Sequence, residues 1–348
     1  MKRLLILLSV ICYFTTGFPT VYYVTKQGDN GNAGTSKAEA WLTVANAISN
    51  VVAGDTVYIY KGLYSENLTL ATSGTGGAPI CWIAYEDSVI FRAAGGANFN
   101  LYCNAKDYNR FYGFYFVGSE SNNGTVFVGT GSDGIWFVNC YFIIPHNTRT
   151  LNTTIEMSTG SGNKISYCVF YGDAHGTNGM IRMDNNGLEN TIIEYNTFNL
   201  TRASQFTGDI KVIYVDGDGG GNIIRNNIFY CQDSSQASGT FYCVAGNPAD
   251  TSAWNNNSNE NIFDHNVLFG FDTDYYPSFN TGAGFGDNNI TNNPRMIIKD
   301  RALNNYVSSD FNPSFKIWGY VKKGSPAINA SSDGIDIGAE PFVTIIGY

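Results

Sequence analysis

Five short segments of the sequence could place reactive side chains on one surface. Each reads apolar, variable, apolar, and they lie at 126–128, 155–157, 181–183, 213–215 and 241–243. Because successive side chains of a β-strand point to opposite faces, the middle residue of each segment would point outward. These middle residues are Phe127, Glu156, Arg182, Tyr214 and Tyr242. If the segments stack, the middle residues form one outer strip, whose carboxylate, guanidinium and phenol groups could act on a single sugar.

Arginine and tyrosine on such a strip are residue types that can serve the β-elimination of a uronate-containing glycan. This reaction needs a positive charge or a metal to neutralise the sugar carboxylate, a base for the C5 proton and an acid for the leaving oxygen. We predict catalytic roles for Arg182, Tyr214, Lys164 and His175, and substrate-binding roles for Glu156, Tyr242, Lys211 and Phe127. The alternative is an exposed Glu–Arg pair contributing about 1 kcal/mol at most, beside ordinary surface tyrosines and a solvated loop histidine.

Three aspartates could bind calcium near this strip. Asp184 and Asp216 follow corresponding segments, and Asp218 lies in the Gly-rich stretch 216–222. Carboxylate oxygens suit calcium, which takes about six to eight oxygen ligands. Fewer than that number are visible and the EF-hand spacing is not met, so an ordinary turn is the alternative.

A short sequence repeat occurs six times between residues 109 and 269. Each copy has an apolar residue, then a small turn, and a second apolar residue five positions after the first. Aligned copies give two wholly apolar columns. The first is Phe111, Phe137, Ile165, Ile193, Ile224 and Phe263, and the second is Phe116, Phe142, Phe170, Phe198, Phe229 and Leu268. Successive members of the second column are 26 to 39 positions apart in the sequence. A period of this size in β-rich units is typical of a solenoid.

A third column lies two residues before the end of each copy and reads Phe114, Cys140, Cys168, Asn196, Asn227 and Asn266. In a right-handed parallel β-helix, asparagines of one turn stack between coils and satisfy buried turn backbone. We therefore predict an all-β, single-stranded right-handed parallel β-helix. A β-sandwich would instead show tight turns about every 8–12 residues and strict alternation. Cys140 and Cys168 would stack about 4.8 Å apart, as buried thiols or as a disulfide.

Composition and charge indicate an exported β-protein. Charged residues make up 14% of the 348 residues and aromatic residues 15%, and the net charge of −9 argues against nucleic acid as a partner. Residues 1–17 have a basic start, an apolar run and small polar residues, which predicts a secretory signal peptide. The apolar run is shorter than the roughly 20 residues that span a bilayer. We expect a secreted or cell-surface protein without a membrane span, and its oligomeric state stays open.

The remaining chain, 18–348, is predicted to be a single β-helix domain, because stacked coils share one core. Apolar residues at helical spacing in 41–51 predict a short N-terminal capping helix, within a cap of about 38–53. The coils would occupy about 54–278. The proline-containing segment 279–348 would pack along the coils or cover the last one.

Two stretches resemble known proteins. They are AGDTVYIYKGLYSENLTL followed by GTGGAPICWIAYEDSVIF near the N-terminus, and KKGSPAINASSDGIDIGAEPF at 322–342. These stretches resemble the opening and the ending of secreted right-handed parallel β-helix proteins of the pectate-lyase-like superfamily. The first is similar in particular to the chondroitinase B and alginate lyase class of polysaccharide lyases. Together with the repeats, the resemblance covers nearly the whole mature chain and is specific for architecture.

The resemblance implies a carbohydrate-active protein. In the lyases, a Lys and an Arg on neighbouring coils serve as base and acid, with calcium sometimes assisting. Arg182 matches the family's Arg, whereas Glu156 stands at the aligned position of the preceding coil and Lys164 is the nearest lysine. The expected function is engagement of an extracellular polysaccharide on a lateral sheet, with cleavage by β-elimination. The alternative is a non-catalytic glycan-binding or surface-adhesion protein.

Overall fold

The computed structural model of the chain shows parallel strands that wind around a continuous buried core. It describes residues 19–95, 99–118, 124–144, 153–172, 179–184, 187–200, 209–216, 219–231, 239–246, 261–271, 273–275, 288–291, 296–298, 319–321, 326–327, 331 and 333. Each coil contributes strands to two large sheets, and each strand pairs with its equivalent in the next coil. The predicted parallel β-helix is confirmed, and its right-handed sense stays a prediction that follows the usual handedness of parallel crossovers.

The strands that open the coil are β1 (Val21–Val24), β2 (Thr56–Ser65) and the long β4 (Ile80–Arg92). The surface that we call the front sheet contains β3 (Leu68–Thr69), β5 (Leu101–Tyr102), β8 (Gly124–Val128), β11 (Thr153–Met157), β15 (Ile181–Asp184), β19 (Ile210–Asp216), β22 (Phe241–Gly246) and β25 (Thr273–Tyr275). The small pairs are β12 (Gly160–Ser161) with β16 (Leu188–Glu189), which is parallel, and β26 (Met296–Ile298) with β27 (Gly319–Val321), which is antiparallel.

A longer sheet contains the strands that we call the second and third stacks, and β4 pairs with the first strand of each. The second stack is β6 (Asn109–Tyr112), β9 (Trp136–Val138), β13 (Lys164–Ser166), β17 (Ile192–Glu194), β20 (Ile223–Arg225) and β23 (Ile262–Asp264). The third stack is β7 (Tyr115–Val117), β10 (Tyr141–Ile144), β14 (Val169–Gly172), β18 (Thr197–Leu200), β21 (Ile228–Cys231) and β24 (Val267–Phe269).

Stacked phenylalanines fix the register of the third stack. Strand pairing places Phe116, Phe142, Phe170, Phe198, Phe229 and Leu268 directly over one another, as predicted. The phenylalanine rings are buried, and adjacent rings stack with centroids 4.6 to 5.1 Å apart. Each buried ring contributes about 2–3 kcal/mol of transfer free energy. A one-residue slip would turn the whole column toward solvent, so the core specifies the register.

The predicted asparagine ladder lies at the turn between the second and third stacks. Asn227 Oδ1 accepts a hydrogen bond from the backbone N of Asn196 at 2.9 Å, and Asn266 Oδ1 accepts one from the backbone N of Asn227 at 3.0 Å. The asparagine side chains are buried and also donate to backbone carbonyls. Cys140 and Cys168 continue the column as buried free thiols, with the Cys140 N–H donating to Cys168 Sγ at 3.4 Å.

A second asparagine ladder, at the turn that enters the second stack, was not predicted. Asn163, Asn222 and Asn261 each accept a hydrogen bond from a backbone N–H of the preceding coil, at 2.8 to 3.0 Å. In intervening coils the same column holds Ile135 and Thr191. This mixture of residue types hides the periodicity in the sequence.

The N-terminal helix α1 (Val44–Asn50) is shorter than the predicted span of 41–51. Thr43 has an extended backbone and its side chain caps the helix by accepting from the Asn46 N–H, so the helix begins after it. The carboxylate of Glu66 also accepts from the first N–H groups of the helix, at 2.9 and 3.2 Å. Trp41 instead bridges to β1. Within the described residues, no helix has the length and apolar character to cross a membrane.

Parts of the C-terminal segment contact the coils. Ala327 is buried against Ile228 and Val267 on the outer side of the third stack. The hydroxyl of Tyr195 donates a hydrogen bond to Asp333 Oδ1 at 2.5 Å. Most of 279–348 lies outside the described residues, so its covering role stays a prediction.

Replacing Asn227 by Ala should lower the free energy of unfolding by about 3 kcal/mol, because the Asn196 N–H and the Ile193 carbonyl would both lose a buried partner. Urea unfolding followed by circular dichroism measures this change. The matched control is Asn50→Ala at the exposed end of α1, which should stay within about 0.5 kcal/mol of the parent. Equal effects of the two substitutions would contradict the ladder's structural role.

Candidate active site on the front sheet

The predicted outer strip lies in register on the front sheet. Pairing places Phe127 beside Glu156, Glu156 beside Arg182, and Arg182 beside Tyr214. These side chains are partly exposed, whereas their sequence neighbours on either side are buried. Residues 26 to 32 positions apart in the sequence thus become neighbours on adjacent strands, and the predicted outward orientation is confirmed.

Arg182 lies between two carboxylates. Its Nη2 is 3.3 Å from Asp216 Oδ2, and its Nη1 is 3.9 Å from Glu156 Oε1. The three side chains are 21 to 23% exposed, so solvent only partly screens their charges. The cluster carries one excess negative charge. A sugar carboxylate that approaches Arg182 must therefore compete with carboxylates already in place.

Lys211 on β19 extends the strip sideways. Its Nζ lies 4.1 Å from the centroid of the Tyr214 ring. Burial lowers the pKa of Lys211, while the charges of Asp209 and Asp216 act in the opposite direction. A lowered pKa increases the fraction of neutral amine, which is the form that accepts a proton. Lys211, predicted to bind substrate, therefore has a larger neutral fraction than an ordinary exposed lysine at the same pH.

The predicted place of Tyr242 in the strip is wrong. Tyr214 pairs with Ala245, and Tyr242 pairs with Lys211 and is only 7% exposed. The apolar–variable–apolar pattern fits two windows on this strand, 241–243 and 244–246, and the second continues the strip. Strand β22 is buried along its whole length, so alternation alone could not choose between the windows.

Lys164 lies on a different sheet from Arg182. It belongs to β13 of the second stack, and its Nζ is 2.7 Å from Glu194 Oε1. Arg225 also donates to Glu194, at 2.9 and 3.0 Å. Lys164 is eight positions after Glu156, but the seven residues between them include the turn that carries the chain around a corner of the coil. Closeness in sequence therefore did not bring Lys164 to the strip.

The calcium prediction stays untested. Asp218 and His175 lie outside the described residues, as does the side chain of Asp184, although its backbone pairs with that of Asp216. Asp216 has its carboxylate beside Arg182. In the part of the chain that the structure describes, no three His, Cys, Asp or Glu side chains come together as a metal site.

Aromatic rings extend the strip beyond Phe127. Tyr102 pairs with Phe127, and their rings stack with centroids 4.7 Å apart. The Phe99 ring lies 5.1 Å from that of Phe127. Sequence reasoning missed this extension, although residues 101–103 follow the same apolar–variable–apolar pattern. The strip therefore has an aromatic end and a charged end.

Comparison of the sequence with known proteins finds a short match to an uncharacterized protein. No protein-family model matches the sequence. Over 77 residues the chain is 39% identical to the uncharacterized protein YwoF of Bacillus subtilis (strain 168). The match covers 22% of this chain and spans 16% of YwoF.

Among solved structures, pectate lyase Pel9A superposes with a TM-score of 0.50 and 16% identity, covering 93% of this chain and 97% of Pel9A. This chain has the parallel β-helix fold of Pel9A. The β-helix also matches pectin methylesterase PemA from Erwinia chrysanthemi with a TM-score of 0.48 and 10% identity, over 75% of this chain and 81% of PemA. The parallel β-helix that the sequence resemblance implied is confirmed by the strand pairing and by the match to Pel9A.

Replacing Arg182 by Ala should lower the free energy of unfolding of the β-helix by about 1–2 kcal/mol, because Glu156 and Asp216 would lose the cation between them. Lys61→Ala is the control. Lys61 forms an exposed pair with Glu86 at 3.9 Å, and its loss should change stability by less than about 0.5 kcal/mol. Urea unfolding at low and high salt compares the two, and an Arg182 effect no larger than that of Lys61 would argue against a coupled cluster.

Proposed function

We propose that this protein is an exported carbohydrate-active protein that binds an extracellular polysaccharide along the outer face of the front sheet and cleaves uronate-containing chains by β-elimination. The observation that carries the proposal is the alignment of Phe127, Glu156, Arg182 and Tyr214 on successive coils, with Lys211 beside Tyr214. A linear glycan also repeats along its length, so it can contact equivalent positions on several coils.

Binding would divide between the two ends of the strip. The stacked rings of Tyr102 and Phe127 offer apolar surface to the C–H faces of sugars. At the charged end, Glu156 and Asp216 can accept hydrogen bonds from sugar hydroxyls, and Arg182 can donate to a sugar carboxylate. Such a mixture of aromatic surface and a few polar groups suits carbohydrate ligands.

The same residues support the elimination step. The neutral amine of Lys211 takes the C5 proton, the electron pair of that C–H bond forms the C4–C5 double bond, and the C4–O4 bond breaks. The Tyr214 hydroxyl gives its proton to the departing O4. Arg182 stabilises the negative charge that develops on the sugar carboxylate. Proton exchange with solvent then restores Lys211 and Tyr214.

One observation favours binding without cleavage as a second candidate. Arg182 already faces Glu156 and Asp216, so its charge is largely compensated before any substrate arrives. In that case the strip would only hold the glycan. A protein of this kind would serve in glycan binding or surface adhesion.

Three earlier predictions accompany this proposal. Export through the 1–17 signal peptide places the protein where polysaccharides occur. Calcium could assist through Asp184, Asp216 and Asp218. Helix α1 would cover the open end of the first coil, a role supported by the burial of Val44, Ala47 and Ile48.

Incubation with alginate, chondroitin, dermatan and pectate, with and without calcium, should release unsaturated uronates from at least one polymer, detected by their ultraviolet absorbance. Lys211→Ala and Arg182→Ala should each lower kcat/KM by about 100-fold or more. Lys61→Ala is the matched lysine control, because Lys61 is far more exposed than Lys211. Unchanged activity in both site variants would remove this site assignment, and binding without product would favour the second candidate.

The pH dependence of cleavage tests the role of Lys211 independently. A base must be neutral and an acid must be protonated, so kcat/KM should rise with pH as Lys211 loses its proton and fall once Tyr214 loses its own. Because burial lowers the pKa of Lys211, the rising limb should lie below the ordinary lysine value of 10.5. Absence of a rising limb below that pH, or a rising limb that persists unchanged in Lys211→Ala, would contradict this role.

A further inference from the structure

A preformed cavity lies on the second stack, apart from the strip on the front sheet. Its volume is about 260 Å³. It is lined by Tyr108, Arg110, Asp133, Gly134, Trp136, Ser161 and Gly162, which come from successive coils. The strip contributes none of these residues, and the function proposed above leaves the cavity unused.

A stacked cation and aromatic ring form one wall of the cavity. Arg110 and Trp136 are partners on adjacent strands, and the guanidinium carbon lies 3.7 Å from the centroid of the Trp136 ring. Trp136 is fixed in turn by a hydrogen bond from its Nε1 to the Gly162 carbonyl at 3.1 Å. The buried Nε of Arg110 makes no hydrogen bond to any described residue. Stacking on Trp136 and a side-chain hydrogen bond with Tyr112 therefore hold the arginine in place, while its Nε stays unsatisfied.

Two glycines shape the space. Gly134 has φ +63°, and a Cβ there would lie 2.5 Å from Cδ1 of Tyr108. Glycine thus lets the Tyr108 ring pack directly against the backbone at 134. At Gly162, a Cβ would meet no atom within 4 Å, so the cavity stays open on that side.

Asp133 provides a carboxylate of fixed position. Its Oδ1 accepts a hydrogen bond from the Ser161 N–H at 2.7 Å, and its own N–H donates to Asp107 Oδ1 at 3.0 Å. A carboxylate has about four acceptor positions, so Asp133 can also accept hydrogen bonds from a ligand. The cavity thus combines an aromatic face, an oriented guanidinium and an oriented carboxylate.

We propose that this cavity is an accessory binding site for one sugar residue of an acidic polysaccharide. Arg110 donates to the sugar carboxylate, Asp133 accepts from its hydroxyls, and the Tyr108 ring packs against its C–H face. The substrate class rests on the function proposed above. A second contact point on another side of the β-helix holds the polymer near the protein without taking part in bond cleavage.

Isothermal titration with tetragalacturonate, tetramannuronate and the neutral cellotetraose tests this proposal on the full chain. The strip variant carries both Arg182→Ala and Lys211→Ala and should not bind sugar on the strip. The cavity variant carries both Tyr108→Asn and Arg110→Gln and should not bind sugar in the cavity. Asn is chosen at 108 because Tyr108 has φ +49°, a conformation that Asn tolerates. Tyr85→Ala is the matched aromatic control, since Tyr85 is 46% exposed on the same sheet and does not line the cavity.

The parent should bind an acidic tetrasaccharide at two sites, each double variant at one, and Tyr85→Ala at two. If only the strip proposal fails, the parent and the strip variant will both bind at one site, and the cavity variant will not bind. Unchanged binding in the cavity variant, absence of binding in the strip variant, or equal affinity for cellotetraose would overturn the cavity proposal. If circular dichroism shows that the cavity variant is unfolded, Arg110→Gln alone serves as the test, with the same outcomes.

Discussion

Hydrogen bonding between equivalent turns is the constraint on which this structure depends. Each coil changes direction sharply, and every change leaves backbone N–H groups inside the protein. Asn196, Asn227 and Asn266 satisfy these groups from the next coil, and Asn163, Asn222 and Asn261 do the same at another corner. An unpaired buried N–H costs about 1–3 kcal/mol, so the turns of neighbouring coils must align. Sheet register and core stacking follow from that alignment.

Alignment of the turns also creates the candidate site. Because neighbouring coils are one strand spacing apart, a side chain on one coil lies close to the equivalent side chain on the next. Glu156, Arg182 and Tyr214 become neighbours through this spacing alone. Loop insertions change the residue count per coil without disturbing the strands. The outer faces can therefore carry different residues on each coil while the phenylalanine core repeats.

Charge distribution separates the two surfaces considered for sugar binding. On the front sheet, Arg182 is compensated by two carboxylates, and Lys211 is the group whose burial favours a neutral amine. On the second stack, Arg110 is held against an indole ring instead of a carboxylate. The first arrangement suits proton transfer, and the second suits recognition of an anionic group.

The sequence by itself determined the fold class, the two apolar columns, the asparagine ladder and the outward strip from Phe127 to Tyr214. All of these depend on a repeat whose residue types recur, and a recurring type is visible without coordinates. The tertiary structure decided the rest. It replaced Tyr242 by Ala245 in the strip, because β22 is apolar throughout and the pattern fits it twice. It separated Lys164 from Arg182, because a turn lies between them, and it brought Arg110, Trp136 and Tyr108 around one cavity. Sequence periodicity records what repeats in every coil, whereas a site is built from residues that occur once, and only the path of the chain through space determines which of these meet.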